Sequence, residues 1–372
     1  MNAIQLQSID GIEALAYDET PRPDPDRHEL LVRVHAAGVN PIDWLVCRGA
    51  VSHLLDGELP WTPGWDVSGV VESVGTDVSR FDPGDAVCGM ARLPGAGGAF
   101  AEYTTMTSDE LVAKPESLSH LEAAGAPMAG QTAYHALYEE GHLDAGQRVL
   151  VHAAAGGVGH MAVQFAANTG AHVVGTASGR NESFLRDLGV DEFVDYRDEQ
   201  FEDVLDGVDL VLDAVGGDVL ERSVEVAEPG GTVVTLPEPP AEPAVERYRD
   251  RSGVDVRSST SSGTRTPRRS DGSSLTPTRT SVCPGSVTRT RCRRCGTHST
   301  GARRATFVGN SSSTSRATPT ADDRVRIGGR ASTGDSVSRV APDDRRWRQT
   351  RRSIGRSARL PDQLGPSQSA SV

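Results

Sequence analysis

The chain is nearly devoid of lysine: Lys114 stands alone, and every other basic side chain is arginine. Residues 1–250 carry 14 basic side chains against 43 acidic ones, whereas beyond residue 250 the balance reverses to 24 against 8, leaving −13 overall. Such an acidic, lysine-poor surface points to a salt-rich cytoplasm, where counterions screen self-repulsion. Cysteine is also scarce, with five unevenly spaced residues in 372, which excludes a disulfide framework. No run of about 20 apolar residues exists, which excludes a membrane-spanning helix. The opening MNAIQLQSIDG has neither the basic stretch nor the apolar core of a secretory leader. A soluble, cytoplasmic protein with room for two cores is expected.

What the chain does have is centred on residues 148–170, RVLVHAAAGGVGHMAVQFAANTG. Val149 to Ala153 read as a buried parallel strand, residues 154–159 as a tight turn. Val158, Ala162, Phe165 and Ala166 then fall on one helical face that stops at Gly170. In a G-x-G-x-x-G frame, Ala154 takes the first glycine's place, with Gly156 and Gly159 in the other two. Gly156 lets a pyrophosphate approach the backbone and Gly159 lets the helix pack on the strand. The phosphates would rest on the free N–H groups of the helix start, Gly157 and Val158.

The unit repeats downstream. HVVGTA (172–177), EFVDY (192–196), DLVLDAVGG (209–217) and TVVTL (232–236) read as strands, with ESFLRDLG (182–189) and DVLERSVEVA (218–227) as helices between them. Alternation of this kind predicts an α/β fold with a doubly wound parallel sheet of Rossmann type. Upstream, residues 1–118 read as β-rich and barrel-like. Their short alternating stretches (29–40, 67–75, 85–90, 98–106) are punctuated by Pro63-Gly64, Gly75, Pro83-Gly84 and 95–98. Ser119 with Glu122 forms a capping box that opens the helical run LEAAGAPMAG, and QTAYHALYEE follows. The expected domains are 1–118, 119–257 and a tail, 258–372.

Six stretches occur in one order: GVNPIDW (38–44), PGWDVSGVVESVG (63–75), GGAFAEY (97–103), QTAYHAL (131–137), HAAAGGVG (152–159) and LDAVGG (212–217). Together they resemble the medium-chain dehydrogenase/reductase superfamily, in its zinc-free NADPH:quinone oxidoreductase (zeta-crystallin-like) branch. The resemblance covers about two-thirds of the chain. It implies a GroES-like catalytic domain, a Rossmann domain and an active site between them. It places Asn40 and Asp43 at the nicotinamide end of the cleft, Thr132 on the nicotinamide amide, Ala214, Val215 and Gly216 along the nicotinamide ribose, and Tyr196 near the adenosine end. It also implies a homodimer, which the altered ending described below would weaken.

Cofactor choice follows from a missing acid. An NAD site places Asp or Glu at the end of the second strand to bind the ribose 2′-hydroxyl. Here that place is Thr176, and nothing acidic lies between Gly170 and Asn181. Ser178 and Arg180 instead offer a hydroxyl and a cation suited to a 2′-phosphate, so NADPH is expected. Zinc is not: residues 1–250 hold only Cys47 and Cys88, and Gly64-Trp65-Asp66 stands where zinc relatives carry Gly-His-Glu. Cys47, His53 and Asp66 make a poor substitute trio. Without a Lewis acid, a quinone or α,β-unsaturated carbonyl is the fitting acceptor, because conjugation delocalises the incoming charge.

The other readings are a zinc-type alcohol dehydrogenase relative and an inactive or non-enzymatic protein that binds a cofactor or nucleic acid. From Ser258 the composition turns to Ser, Thr, Arg, Gly and Pro, which by itself predicts disorder. Shifting an acidic, GC-rich gene's GAC, GAG and GTC codons by one or two bases yields Thr, Arg and Ser, so a frameshift near Arg257 is inferred. Taken at face value, the basic tail would bind an acidic surface or nucleic acid, with Cys283, Cys292, Cys295 and His298 as a small zinc knuckle. Its single C-x-x-C lacks a second correctly spaced pair, and nucleic acid is not the expected partner.

Overall fold

A computed structural model of the chain describes residues 1–51, 58–93, 95, 97–237 and 241–259. Strands β1 (Asn2–Leu6) and β2 (Leu15–Glu19) pair as an antiparallel hairpin. A five-stranded antiparallel sheet follows: β3 (Glu29–Gly38), β4 (Asp66–Val74), β5 (Ala86–Met90), β6 (Tyr103–Thr107) and β7 (Leu111–Ala113), in the order β6-β3-β4-β5-β7. Alternation in β3 turns Leu30, Val32 and Val34 onto a core shared with Trp65, Val67, Val71, Val87, Met106 and Leu111. Leu31, on the opposite face of the strand, is buried as well. Helix α1 (Pro41–Cys47) leaves the end of β3 with Pro41 in its first turn, where a missing N–H costs nothing.

The capping box at Ser119 forms as expected: Ser119 Oγ accepts from Glu122 N, and Glu122 Oε2 accepts from Ser119 N at 2.8 Å. The helix it opens is short, however. α2 (His120–Ala124) stops at Gly125, and Pro127 starts a second helix, α3 (Pro127–Tyr134), which runs into a π-helical turn, His135–Glu140.

The second sheet is six-stranded and wholly parallel: β8 (Arg148–Val151), β9 (His172–Ala177), β10 (Glu192–Asp195), β11 (Val208–Asp213), β12 (Ala227–Thr235) and β13 (Asp255–Ser258). Its order, β10-β9-β8-β11-β12-β13, runs 3-2-1-4-5-6 in sequence terms, the Rossmann arrangement. Helices α4 (Gly157–Thr169), α5 (Glu182–Leu188), α6 (Phe201–Val204), α7 (Asp218–Val226) and α8 (Glu242–Ser252) complete it. Residues of β8 divide between two cores. Val149 and Val151 pack with Leu137, Ala162, Phe165 and Leu185, whereas Leu150 packs with Val211, Leu220, Val224 and Val256.

Two boundaries and two helices depart from the sequence reading. The first Rossmann strand ends at Val151 rather than Ala153, because Ala153 adopts φ +48° and turns the chain. Ser258 closes β13 and the buried Ser259 donates its N–H to Thr235 O, so both belong to the fold rather than the tail. Helices α6 and α8 carry no apolar periodicity that the sequence reading detected; α8 buries none of its residues. The remaining tail, on which the frameshift reading and the Cys283, Cys292, Cys295 and His298 reading fall, lies outside the described residues.

Candidate active site

The turn after β8 is built by hydrogen bonds of the chain to itself. His152 N donates to Leu212 O, Ala154 N to Thr176 O, and Gly156 N to Ala153 O at 2.7 Å. Gly156 caps α4 with extended backbone and no side-chain acceptor, so the first N–H groups of that helix meet no side-chain cap. The three glycines do different work. A Cβ on Gly159 would stand 2.3 Å from Ala153 O and 2.8 Å from Ala154 Cα, so close packing of helix on turn demands glycine there. A Cβ on Gly156 would meet only Ala153 O, at 3.0 Å, and one on Gly157 would meet nothing within 4 Å. Gly157 and Val158 therefore present an open, electropositive helix start that fits a pyrophosphate.

His152, read from sequence as strand, is buried beneath this turn. Ser223 Oγ donates to Val219 O and so accepts from His152 Nε2, leaving Nδ1 to accept from Thr176 Oγ1, each at 3.0 Å. Burial pushes the imidazole down to about 3, which keeps it neutral. Thr176 is thereby turned inward, and β9 continues one residue past it. The first residue beyond the strand's end is Ser178.

Parallel pairing of Ala177 with Asp195 sets the loops after β9 and β10 side by side, and Tyr196 N donates to Ala177 O. Ser178, Arg180 and Tyr196 thus share one edge. Ser178 is buried and accepts from Asn181 Nδ2, Arg180 is exposed with no ion pair among the described residues, and Tyr196 is 58% exposed. Asp195 also sits here, unanticipated. Its carboxylate accepts the N–H of Gly179 at 2.5 Å and of Arg197 at 3.0 Å, which shapes the loop. At the end of β11, Asp213 organises the loop of Ala214, Val215 and Gly216 by accepting the N–H groups of Val215 and Gly216 at 2.8 and 2.9 Å. Thr132 lies on α3 and donates to Met128 O.

At the start of α1 the capping box closes both ways. The Asp43 N–H donates to the Asn40 backbone oxygen at 3.1 Å and faces the Asn40 side-chain oxygen, and Asp43 Oδ2 accepts from Asn40 N at 2.6 Å. Asn40 Nδ2 donates to Asp66 Oδ2, and Met128 N at the start of α3 donates to Asp66 Oδ1, both at 2.9 Å. Asp66 is 1% exposed and Asp43 nearly as buried. Burial pushes both carboxyls up to about 7; the Asn40 and Gly64 amides offset part of that at Asp43, and Asn40 and Met128 do so at Asp66. The structure brings together Asn40 and Asp43, but places the Asp43 carboxylate in the cap, with Oδ1 buried and lacking a well-formed hydrogen bond.

Trp65 is fully buried in the first core. Cys47 is also buried and donates its thiol to Asp43 O at 3.1 Å; Cys88 lies buried in β5. His53 lies outside the described residues. Among the described residues, no three His, Cys, Asp or Glu side chains are grouped to hold a metal, and no helix is long and apolar enough to cross a membrane.

Comparison with known proteins agrees with this geometry. The alcohol dehydrogenase GroES-like domain matches residues 26–116, and the zinc-binding dehydrogenase family matches residues 157–267. A chloroplastic quinone-oxidoreductase homolog of Spinacia oleracea is 42% identical over 204 residues, which are 53% of this chain and 61% of that one. The structure of the quinone oxidoreductase from Coxiella burnetii is 37% identical, with a TM-score of 0.64 over 69% of this chain and 82% of that one. The Escherichia coli quinone oxidoreductase, solved in complex with NADPH, is 26% identical with a TM-score of 0.62, over 70% and 81%. The chain spans about three-fifths of the length of the first curated relatives it matches. On its two matched families and these relatives, the chain belongs to the medium-chain dehydrogenase/reductase superfamily, alongside the quinone oxidoreductases.

Proposed function

We propose that this chain is an NADPH-dependent reductase that delivers hydride to a quinone or an α,β-unsaturated carbonyl without zinc. The observation that carries the reading is the open start of α4 at Gly156 and Gly157, beside a loop edge where Ser178, Arg180 and Tyr196 stand and no acid closes the end of β9. Gly157 and Val158 would hold the pyrophosphate, Ser178 and Arg180 the 2′-phosphate, and the Asp213-shaped loop the nicotinamide ribose. Bound there, the cofactor supplies the hydride. Asn40 supplies a hydrogen-bond donor for the acceptor's developing oxyanion, and solvent the proton. Trp65 in the place of a histidine ligand supports the metal-free reading, and the conjugated acceptor needs no Lewis acid.

The resemblance also supports a homodimer and division near residues 118 and 257. One observation favours a second cofactor reading: the Asp195 carboxylate stands at the same loop edge, where its charge works against a 2′-phosphate and toward use of NADH as well. Initial rates with NADPH and NADH at equal concentration, with a para-quinone and an enone as acceptors, test the proposal. NADPH oxidation that depends on either acceptor, with preference over NADH, is expected; binding without turnover would favour a non-enzymatic cofactor-binding protein. Replacing Asn40 by alanine should lower turnover while leaving NADPH affinity nearly intact, and equal losses in both would contradict its role.

A further inference from the structure

The Asn40 carboxamide can act as a donor only if its nitrogen, not its oxygen, is offered to the acceptor. The two ends of an amide are nearly isosteric, so something must choose between them. Two neighbours in this structure do so. The Asp43 N–H can only donate, and it faces the Asn40 oxygen. The Asp66 carboxylate accepts, and it takes one hydrogen of Nδ2 at 2.9 Å. Flipping the amide would set oxygen against carboxylate and N–H against N–H. One Nδ2 hydrogen is left without a partner among the described residues.

Asp66 is itself held in place. Its other oxygen takes the Met128 N–H, at the electropositive start of α3. On the strand side it pairs in register with Gly38, where a Cβ would come within 2.8 Å of Asp66 Cβ and 3.0 Å of Oδ2. Two donors on two oxygens call for a carboxylate. An asparagine at this position would present a single acceptor and would turn its own NH₂ toward one of the two donors.

We infer that Asp66 is a positioning residue that fixes the Asn40 carboxamide with its second N–H free for the acceptor oxygen. The inference rests on the proposed reductase reading, in which Asn40 donates to that oxygen. It goes beyond it in assigning the donor's orientation to a buried carboxylate 26 residues away.

A double-mutant cycle on the full chain tests it, with Asn40→Ala, Asp66→Asn and the double variant. Turnover of NADPH with a para-quinone gives kcat, quenching of tryptophan emission on titration with NADPH gives Kd, and a melting curve shows that each variant is folded. Each single variant should lose about 10- to 100-fold in kcat. The double variant should lose no more than Asn40→Ala alone, and the Kd for NADPH should stay within about threefold throughout. If Asp66→Asn gives no melting transition, Asp66→Ser replaces it in the cycle. Multiplicative losses in kcat, or loss of NADPH binding in the Asp66 variant alone, would overturn the inference while leaving the reductase reading standing. Absence of turnover in the unmutated chain would overturn both.

Discussion

Replacing Asp43 by asparagine should abolish a pH dependence of stability rather than a contact. The carboxyl is pushed from its ordinary 3.8 up to about 7 by burial, so the folded state binds its proton more tightly than the unfolded chain does. The sign follows directly. The stabilisation is fully present below about pH 4 and is lost as pH rises through the folded value near 7. At about 1.4 kcal/mol for each tenfold in proton affinity, the whole span amounts to on the order of 4 kcal/mol. Between about pH 5.8 and pH 8 the unmutated chain should shed roughly 1.5 kcal/mol of it, a melting shift of about 3–6 °C for a fold this size. The asparagine variant keeps an oxygen for the Asn40 N–H but carries no titrating group at this position, Asp66 remaining in both proteins, so its melting temperature should fall by that much less over the same interval. Differential scanning fluorimetry of both proteins across this range, at fixed high salt, reads the difference directly. Parallel curves for the two proteins would refute the reasoning.

The glycine turn offers a paired test. Gly159→Ala drives a Cβ into Ala153 O and should cost several kcal/mol of stability along with cofactor binding, whereas Gly157→Ala meets no protein atom and should leave melting unchanged while weakening NADPH binding; melting curves and fluorescence titration separate them. Ala153→Gly relieves a left-handed alanine at φ +48° and should raise stability by about 1 kcal/mol, measured by urea titration. Arg180→Ala removes an unpaired cation at the loop edge and should raise the Kd for NADPH about tenfold with little effect on NADH, measured by titration with each.

The Rossmann half was legible because its signals are local. A strand, a glycine turn and an amphipathic helix fit within 23 residues, and apolar runs at regular spacing foretold the rest of the sheet. What escaped was whatever depends on long reach. His152 finds Thr176 and Ser223 at separations of 24 and 71, and Asp66 finds Asn40 and Met128 at 26 and 62, distances over which spacing carries no information. Asp213 was within reach of sequence reasoning, since an Asp followed by Ala-Val-Gly-Gly is a turn signal in which the carboxylate caps backbone N–H groups two and three residues on. The inward turn of Thr176 was hidden as well, because counting residues to the end of β9 cannot tell which way a side chain points.

The two carboxylates beside Asn40 pose a sharper question, since each is buried at a cost to the fold. Asparagine would serve as well as Asp43 if capping were its whole task, because one oxygen satisfies the Asn40 N–H. The same substitution fails at Asp66, where two donors converge and an amide has one acceptor to give. Stability alone would thus permit asparagine at residue 43 and would exact a buried unpaired donor at residue 66. Function presses the same way at Asp66, because its carboxylate acceptor holds the Asn40 nitrogen in one orientation while leaving the second N–H unengaged. A buried charge here weakens the fold as pH rises, and it is the chemistry of the Asn40 amide that requires it.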